Sequence, residues 1–145
     1  MILIFRWTKD FNIFDMDKLF FPINLANTHW ALAVCFMSLK EIWYCDSLTI
    51  PTRSRYLHAL LQYLSDESKM KLGVALNVEE WKLINCSAED IPQQENGYDC
   101  GAFTVMYADL ITDGIPLSFL NQSMMPDFRI KICNAIVQGT LPYDM

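Results

Sequence analysis

The residues able to do chemistry fall in three short stretches. The most pointed is Ile91-Pro92-Gln93-Gln94-Glu95-Asn96-Gly97-Tyr98-Asp99-Cys100-Gly101-Ala102. It sets one cysteine behind a turn dipeptide, Asn96-Gly97, both of whose residues tolerate positive φ, and Gly101 keeps bulk away from the atom beside the sulfur. Beyond it, Phe103, Val105, Met106, Tyr107, Leu110 and Ile111 make the chain apolar on nearly every side, until Asp113-Gly114 and Pro116 supply a stop. Cys100 is therefore expected to open a buried helix, where unpaired backbone N–H groups and the helix dipole favour a thiolate. A cysteine at a helix start is as often structural as nucleophilic, so the presence of a base must decide.

Of the two histidines, His29 stands in Asn27-Thr28-His29-Trp30-Ala31-Leu32-Ala33-Val34, directly before an apolar run that reads as a buried strand. A loop entering a sheet is a common place for catalytic side chains. His58 lies in an amphipathic helical stretch and reads as a helix residue without a chemical role. A carboxylate to orient the imidazole is available at Asp46, where the strand Glu41-Ile42-Trp43-Tyr44-Cys45 ends. Taken alone, Asp46 reads better as a strand-terminal turn acid bonded to nearby backbone.

These residues need a framework to meet. Met1 to Asp17 reads as irregular structure carrying core-seeking aromatics. Strands are expected over 19–25, 30–36 and 41–44, with Pro22 placing the first at an edge or bulge. The link Met37-Ser38-Leu39-Lys40 suits an antiparallel hairpin, although it lacks the favoured glycine. From Arg53 to about Glu67, Tyr56, Leu57, Leu60, Leu61 and Leu64 recur at helical spacing; Thr52 is a plausible cap, and Asp66 and Glu67 should face water. A fourth strand is expected over 81–86. After the polar stretch 87–90 and the cysteine helix, a last helix opens at Pro126, turns Phe128, Ile132, Ala135 and Ile136 to one side, and ends at Gly139. Cys35, Cys45 and Cys133 read as packed small hydrophobes, and Cys86 has no base beside it in sequence.

At 145 residues, 52% hydrophobic and 13% aromatic, residues 1–145 can form one domain with a sizeable core, and disorder is not expected. A net charge of −6 argues against nucleic acid or an anionic membrane as partner and leaves a protein as the expected one. Five cysteines with no C-x-x-C pair argue against zinc and against a secreted disulfide framework. No metal or cofactor is expected, and the compartment should be reducing: intracellular, nuclear or cytoplasmic. The apolar run Met1 to Phe5 is shorter than a signal-peptide core of about 7–15 residues, and no stretch is long enough to span a membrane.

The order His29, Asp46, Gln94, Cys100 resembles one family closely, the SUMO (sentrin) specific proteases. The resemblance rests on Phe21-Pro22-Ile23-Asn24, His29-Trp30 followed by Ala-Leu-Ala-Val, Tyr44-Cys45-Asp46-Ser47, Ile91-Pro92-Gln93-Gln94, and Asn96-Gly97-Tyr98-Asp99-Cys100-Gly101. It runs from about Arg6 to the C-terminal end. It implies an α+β papain-like scaffold with the histidine ahead of the cysteine, and a central, mostly antiparallel sheet flanked by helices. It also implies a His29–Asp46–Cys100 triad with the Gln94 side chain in the oxyanion hole, and Trp30 and Gly97 on the substrate channel. Gln94 bonding only loop backbone, and Trp30 serving only as a sheet aromatic, are the structural alternatives. Catalytic domains of the family are usually longer, so the resemblance further implies that the N-terminal portion helping to bind the partner is absent here.

The activity so implied is cleavage after the C-terminal Gly-Gly of SUMO, from a precursor or from a modified lysine, by a monomer. The alternatives are a catalytically weak or inactive SUMO-binding fragment and a protease for another ubiquitin-like protein such as NEDD8. An acetyltransferase with the same residue set would bind a polyanionic cofactor, which the acidic balance disfavours.

Overall fold

The structure is a computed structural model, and it describes residues 8–48, 54–86 and 88–140. Its centre is a sheet of four strands in sequence order: β1 (Lys18–Leu25), β2 (His29–Phe36), β3 (Glu41–Cys45) and β4 (Lys82–Asn85). The first three are antiparallel neighbours, and β4 runs parallel to β3. Antiparallel neighbours need only tight turns, whereas a parallel neighbour needs a long crossover. That crossover carries helix α1 (Ser54–Leu72). Pro22 has no N–H to donate and lies in the edge strand β1, opposite Leu32. The β2–β3 turn manages without glycine because Lys40 itself takes the left-handed conformation, at φ 54°.

Alternation along the strands divides the core in two. Ala31, Ala33 and Cys35 of β2, with Ile42 and Tyr44 of β3, pack on Leu57 and Leu64 of α1. Leu32, Val34 and Cys45 face the other way, onto Phe103, Met106, Tyr107 and Leu110 of helix α2 (Cys100–Asp113). Helix α2 is apolar on most sides because it is covered on most sides. It ends where Gly114 takes the left-handed cap at φ 70°. Helix α3 (Met125–Gln138) packs outside α2, with proline in its first turn.

Three expectations change. Helix α1 continues to Leu72, and Glu67 does not face water: it is fully buried and accepts a 2.9 Å hydrogen bond from Thr8 Oγ1. The helix outlasts its apolar spacing because the segment before β1 lies over its last turns, where the Lys71 ammonium also donates to the Thr8 and Phe11 carbonyls. Cys133 is exposed, as are Ile130, Ile136 and Val137, while Met125 of α3 is buried and Phe128, Ile132 and Ala135 are partly covered. The expected cap Thr52, the helix start at Arg53, the loop residue Ser87 and the segment before Thr8 lie outside the described residues.

Candidate active site

The site is built at one end of the sheet, where loops leave the strands. A tight turn of Ala26, Asn27 and Thr28 brings β1 back as β2, with Ala26 and Asn27 at positive φ (52° and 59°). The Thr28 N–H and hydroxyl both donate to the Leu25 carbonyl, and Asn24 Oδ1 accepts from the Asn27 N–H at 2.7 Å. These bonds fix where β2 starts, and its first residue is His29.

His29 is buried, and its Nε2 stands 2.6 Å from Asp46 Oδ1. Asp46 is the first residue past β3. Its Oδ1 also accepts from the Leu48 N–H at 3.0 Å, and its Oδ2 accepts from the Tyr44 hydroxyl at 3.3 Å. One carboxylate thus bonds both its own turn and the imidazole. A carboxylate can only accept, so the Nε2 position carries the proton and a neutral ring presents Nδ1 as its lone pair.

Cys100 is the first residue of α2 and is 7% exposed. The turn before it is made differently from the sequence expectation. Neither Asn96 nor Gly97 is among the residues at positive φ. Instead Asn96 Oδ1 accepts from the N–H groups of Tyr98 (3.1 Å) and Asp99 (3.0 Å), so a side chain does the work expected of the backbone. Gly97 is exposed, with no atom within 4 Å of where a Cβ would stand.

Asp99 precedes the helix but does not cap it. Its carboxylate turns away to accept from Asn96 Nδ2 (2.7 Å), Gln122 Nε2 (2.8 Å) and Arg129 Nε (2.6 Å). Burial pushes this carboxyl upward, but those three hydrogen bonds and the Arg129 charge outweigh it and hold it below the usual carboxylate range. Arg129 also donates from Nη2 to the Tyr98 carbonyl at 2.7 Å and lies over the Tyr98 ring. The loop is thus anchored to α3, and the first N–H groups of α2 are left uncovered by the cap side chain.

Gln94 is buried beside this turn. Its Nε2 donates to the Asn96 carbonyl and its Oε1 accepts from the Ser47 hydroxyl, each at 2.5 Å. A carbonyl oxygen cannot donate, so the Asn96 contact alone sets which way the amide faces. One Nε2 hydrogen remains beyond that bond. The Gln94 N–H donates to the Ser47 carbonyl (2.9 Å), and Gln93 Nε2 donates to the Asp46 carbonyl (3.1 Å), so this loop is fastened to the end of β3. The Tyr107 hydroxyl donates to the Pro92 carbonyl from below.

Trp30 is 41% exposed and, with Cys100, Gly101, Val105 and Tyr98, lines a groove of about 520 Å³. A Cβ on Gly101 would meet Trp30 Cδ1 at 3.8 Å, so the helix passes just under the indole at the residue after Cys100. The indole and Cys100 therefore line one groove, and the residue before Trp30 is His29.

Residues 4–138 match the model of the Ulp1 protease family, C-terminal catalytic domain. The chain belongs to that family. It is 43% identical over 136 residues to sentrin-specific protease 2 of Rattus norvegicus, covering 94% of this chain and 23% of that protein. It is 37% identical over 137 residues to ubiquitin-like-specific protease 1A of Arabidopsis thaliana, covering 92% of this chain and 26% of that one. The chain thus spans about a quarter of the length of these relatives. Among solved structures, the C-terminal Ulp1 protease domain in complex with Smt3, the yeast ortholog of SUMO, superposes with a TM-score of 0.76 at 31% identity, over 94% of this chain and 59% of that one. The fold is accordingly the α+β protease scaffold of Ulp1.

Ser47, Tyr44, Gln122 and Arg129 were not singled out from sequence. Ser47 and Tyr44 lie inside a stretch already marked by Asp46 and could have been found there. Gln122 and Arg129 reach Asp99 from 23 and 30 residues away, and no local pattern signals them.

Proposed function

We propose that this chain is a thiol protease that cleaves after the C-terminal Gly-Gly of SUMO, from a precursor or from a modified lysine, with Cys100 as nucleophile. What supports this reading is the buried His29–Asp46 pair, 2.6 Å apart, with the residue after His29, Trp30, lining a groove together with Cys100. His29 Nδ1 takes the Cys100 proton, and Asp46 stabilises the imidazolium that results. The thiolate adds to the carbonyl carbon of the last glycine. The developing oxyanion receives the backbone N–H of Cys100 and the remaining Nε2 hydrogen of Gln94. Collapse breaks the C–N bond, and the imidazolium gives its proton to the departing amine. Water, deprotonated by His29, then releases the glycine carboxylate from the thioester.

Trp30 is the roof of the channel, where a side chain larger than hydrogen would meet the indole, and exposed Gly97 lies on the approach to it. The expected partner is SUMO or its conjugates, as the names of the relatives indicate for those proteins. Free thiols of this kind persist in the nucleus or cytoplasm.

SUMO and NEDD8 bearing an electrophile in place of the terminal carboxylate test the reading. A covalent adduct of SUMO at Cys100, absent in Cys100→Ala, is the expected result. An adduct with NEDD8 alone would move the substrate to that protein. SUMO binding without any adduct would leave a binding module in place of the enzyme.

A further inference from the structure

The five thiols have different surroundings, and two of them meet. Cys45 Sγ and Cys86 Sγ are 3.6 Å apart, at the end of the parallel pair β3 and β4. The register that sets Tyr44 opposite Asn85 continues one residue to these cysteines, and the Cys86 N–H donates to the Tyr44 carbonyl at 3.0 Å. Neighbouring strands lie about 4.8 Å apart, within the Cα separation that a disulfide spans. Beyond Cys45 and Asn85 the ladder stops, so the side chains can turn the remaining distance to a bond of about 2.05 Å without breaking strand hydrogen bonds.

We propose that Cys45 and Cys86 are a redox site that closes to a reversible disulfide when a hydroperoxide is the oxidant. Access favours attack at Cys86. Cys45 is fully buried, whereas Cys86 is half-buried and lines a hollow of about 590 Å³ with Trp43, Ile84, Ile91 and Leu117. The hydrogen bond between the two sulfurs lowers the Cys86 thiol and raises that of Cys45, and burial raises Cys45 further. Cys86 is thus the thiol that ionises, and Cys45 keeps its proton until called on. Among the described residues no second thiol is paired with Cys35, and burial pushes it up to about 12.

In the first step the Cys86 thiolate attacks one peroxide oxygen. The O–O bond breaks, hydroxide leaves and takes up a proton as water, and Cys86 becomes a sulfenic acid. In the second step Cys45 sulfur attacks Cys86 sulfur, the S–O bond breaks, and hydroxide leaves with the Cys45 proton as a second water. Two thiols have lost two electrons, and one hydrogen peroxide has become two waters. A dithiol reverses the change. The bond closes a loop between residues 41 apart and ties β3, one residue before Asp46, to the segment that leads to Gln94. It needs no chemistry at Cys100.

The test treats the wild-type chain and Cys100→Ala with stoichiometric hydrogen peroxide, alkylates the remaining thiols and maps the peptides by mass spectrometry. The expected product in both chains is a Cys45–Cys86 linked pair, lighter by two hydrogens and released by dithiothreitol. Its Tm should exceed that of the reduced chain, because the cross-link restricts the unfolded chain. Cys45→Ser should stop the reaction at the Cys86 sulfenic acid, which dimedone traps. Sulfinic acid at Cys86 with Cys45 still alkylated in the wild-type chain would overturn the proposal, as would linkage of either residue to Cys35 or Cys133 in preference.

Discussion

The two faces of the sheet are lined by the same strands yet are held together in different ways. On the α1 side, Ala31, Ala33, Cys35, Ile42 and Tyr44 meet Leu57 and Leu64, and apolar contact dominates, with polar bonds from Glu67 and Lys71 to the segment before β1 at the end of the helix. On the α2 side the centre is equally apolar, but its rim is wired by polar bonds between distant residues. Ser47 meets Gln94 at a separation of 47 residues, and Arg129 meets Asp99 at a separation of 30. Apolar packing tolerates small displacements, whereas a hydrogen bond weakens steeply with misalignment. Apolar packing on both faces therefore sets how stable the chain is, and the rim of the α2 side sets where a few atoms stand.

Cys100→Ala is the sharpest cut through that contrast. It should abolish cleavage of a SUMO fusion and leave the thermal unfolding of the chain nearly unchanged, because the thiol lies at the rim. Full turnover in this variant would remove the nucleophile from the reading altogether. Asp46→Asn comes next: a neutral amide cannot support the imidazolium, and by analogy with serine triads kcat should fall by as much as about 10⁴-fold. Circular dichroism of the same protein should remain native, and an unaltered kcat would reduce Asp46 to its turn-capping role.

Gln94→Ala should lower kcat by roughly 10²–10³ with little change in KM, as expected for one lost oxyanion donor. Ser47→Ala leaves the donor but frees the amide, and one net hydrogen bond of about 1 kcal/mol makes the expected loss roughly five- to tenfold. Equal losses in the two variants would mean that Gln94 acts only as a loop anchor. On the other face, Leu64→Ala should cost about 2–5 kcal/mol of stability in a denaturant titration, with kcat per folded molecule unchanged. A fall in kcat there would show that the two faces are not separable.

The smallest expected effect concerns pH. The Asp99 carboxyl is depressed in the folded chain, so its bonds add stability above the unfolded value of about 3.9, and that stability is lost as pH falls through the folded value. The Tm difference between the wild-type chain and Asp99→Asn should accordingly be widest at neutral pH and close below about pH 4. A gap independent of pH would show that Asp99 acts through shape, with no contribution from its charge.

Much of this was legible in the chain itself. The continuous apolar run in 30–36, the helical spacing of Tyr56 to Leu64 and the apolar run after Cys100 each depend on neighbours a few residues away. Local sequence could therefore locate the strands, both central helices and the stretches bearing His29, Asp46, Gln94 and Cys100. What it could not supply were the bonds across distance. The buried Glu67 looked like a solvent residue because its partner Thr8 is 59 residues away. Cys133 looked packed because its helix is apolar, but Ile130, Cys133, Ile136 and Val137 of that helix stand exposed. The side chains that aim the site and the pairing of Cys45 with Cys86 depend on strand register and helix docking. Those are consequences of burying the whole core at once, and no single stretch encodes them.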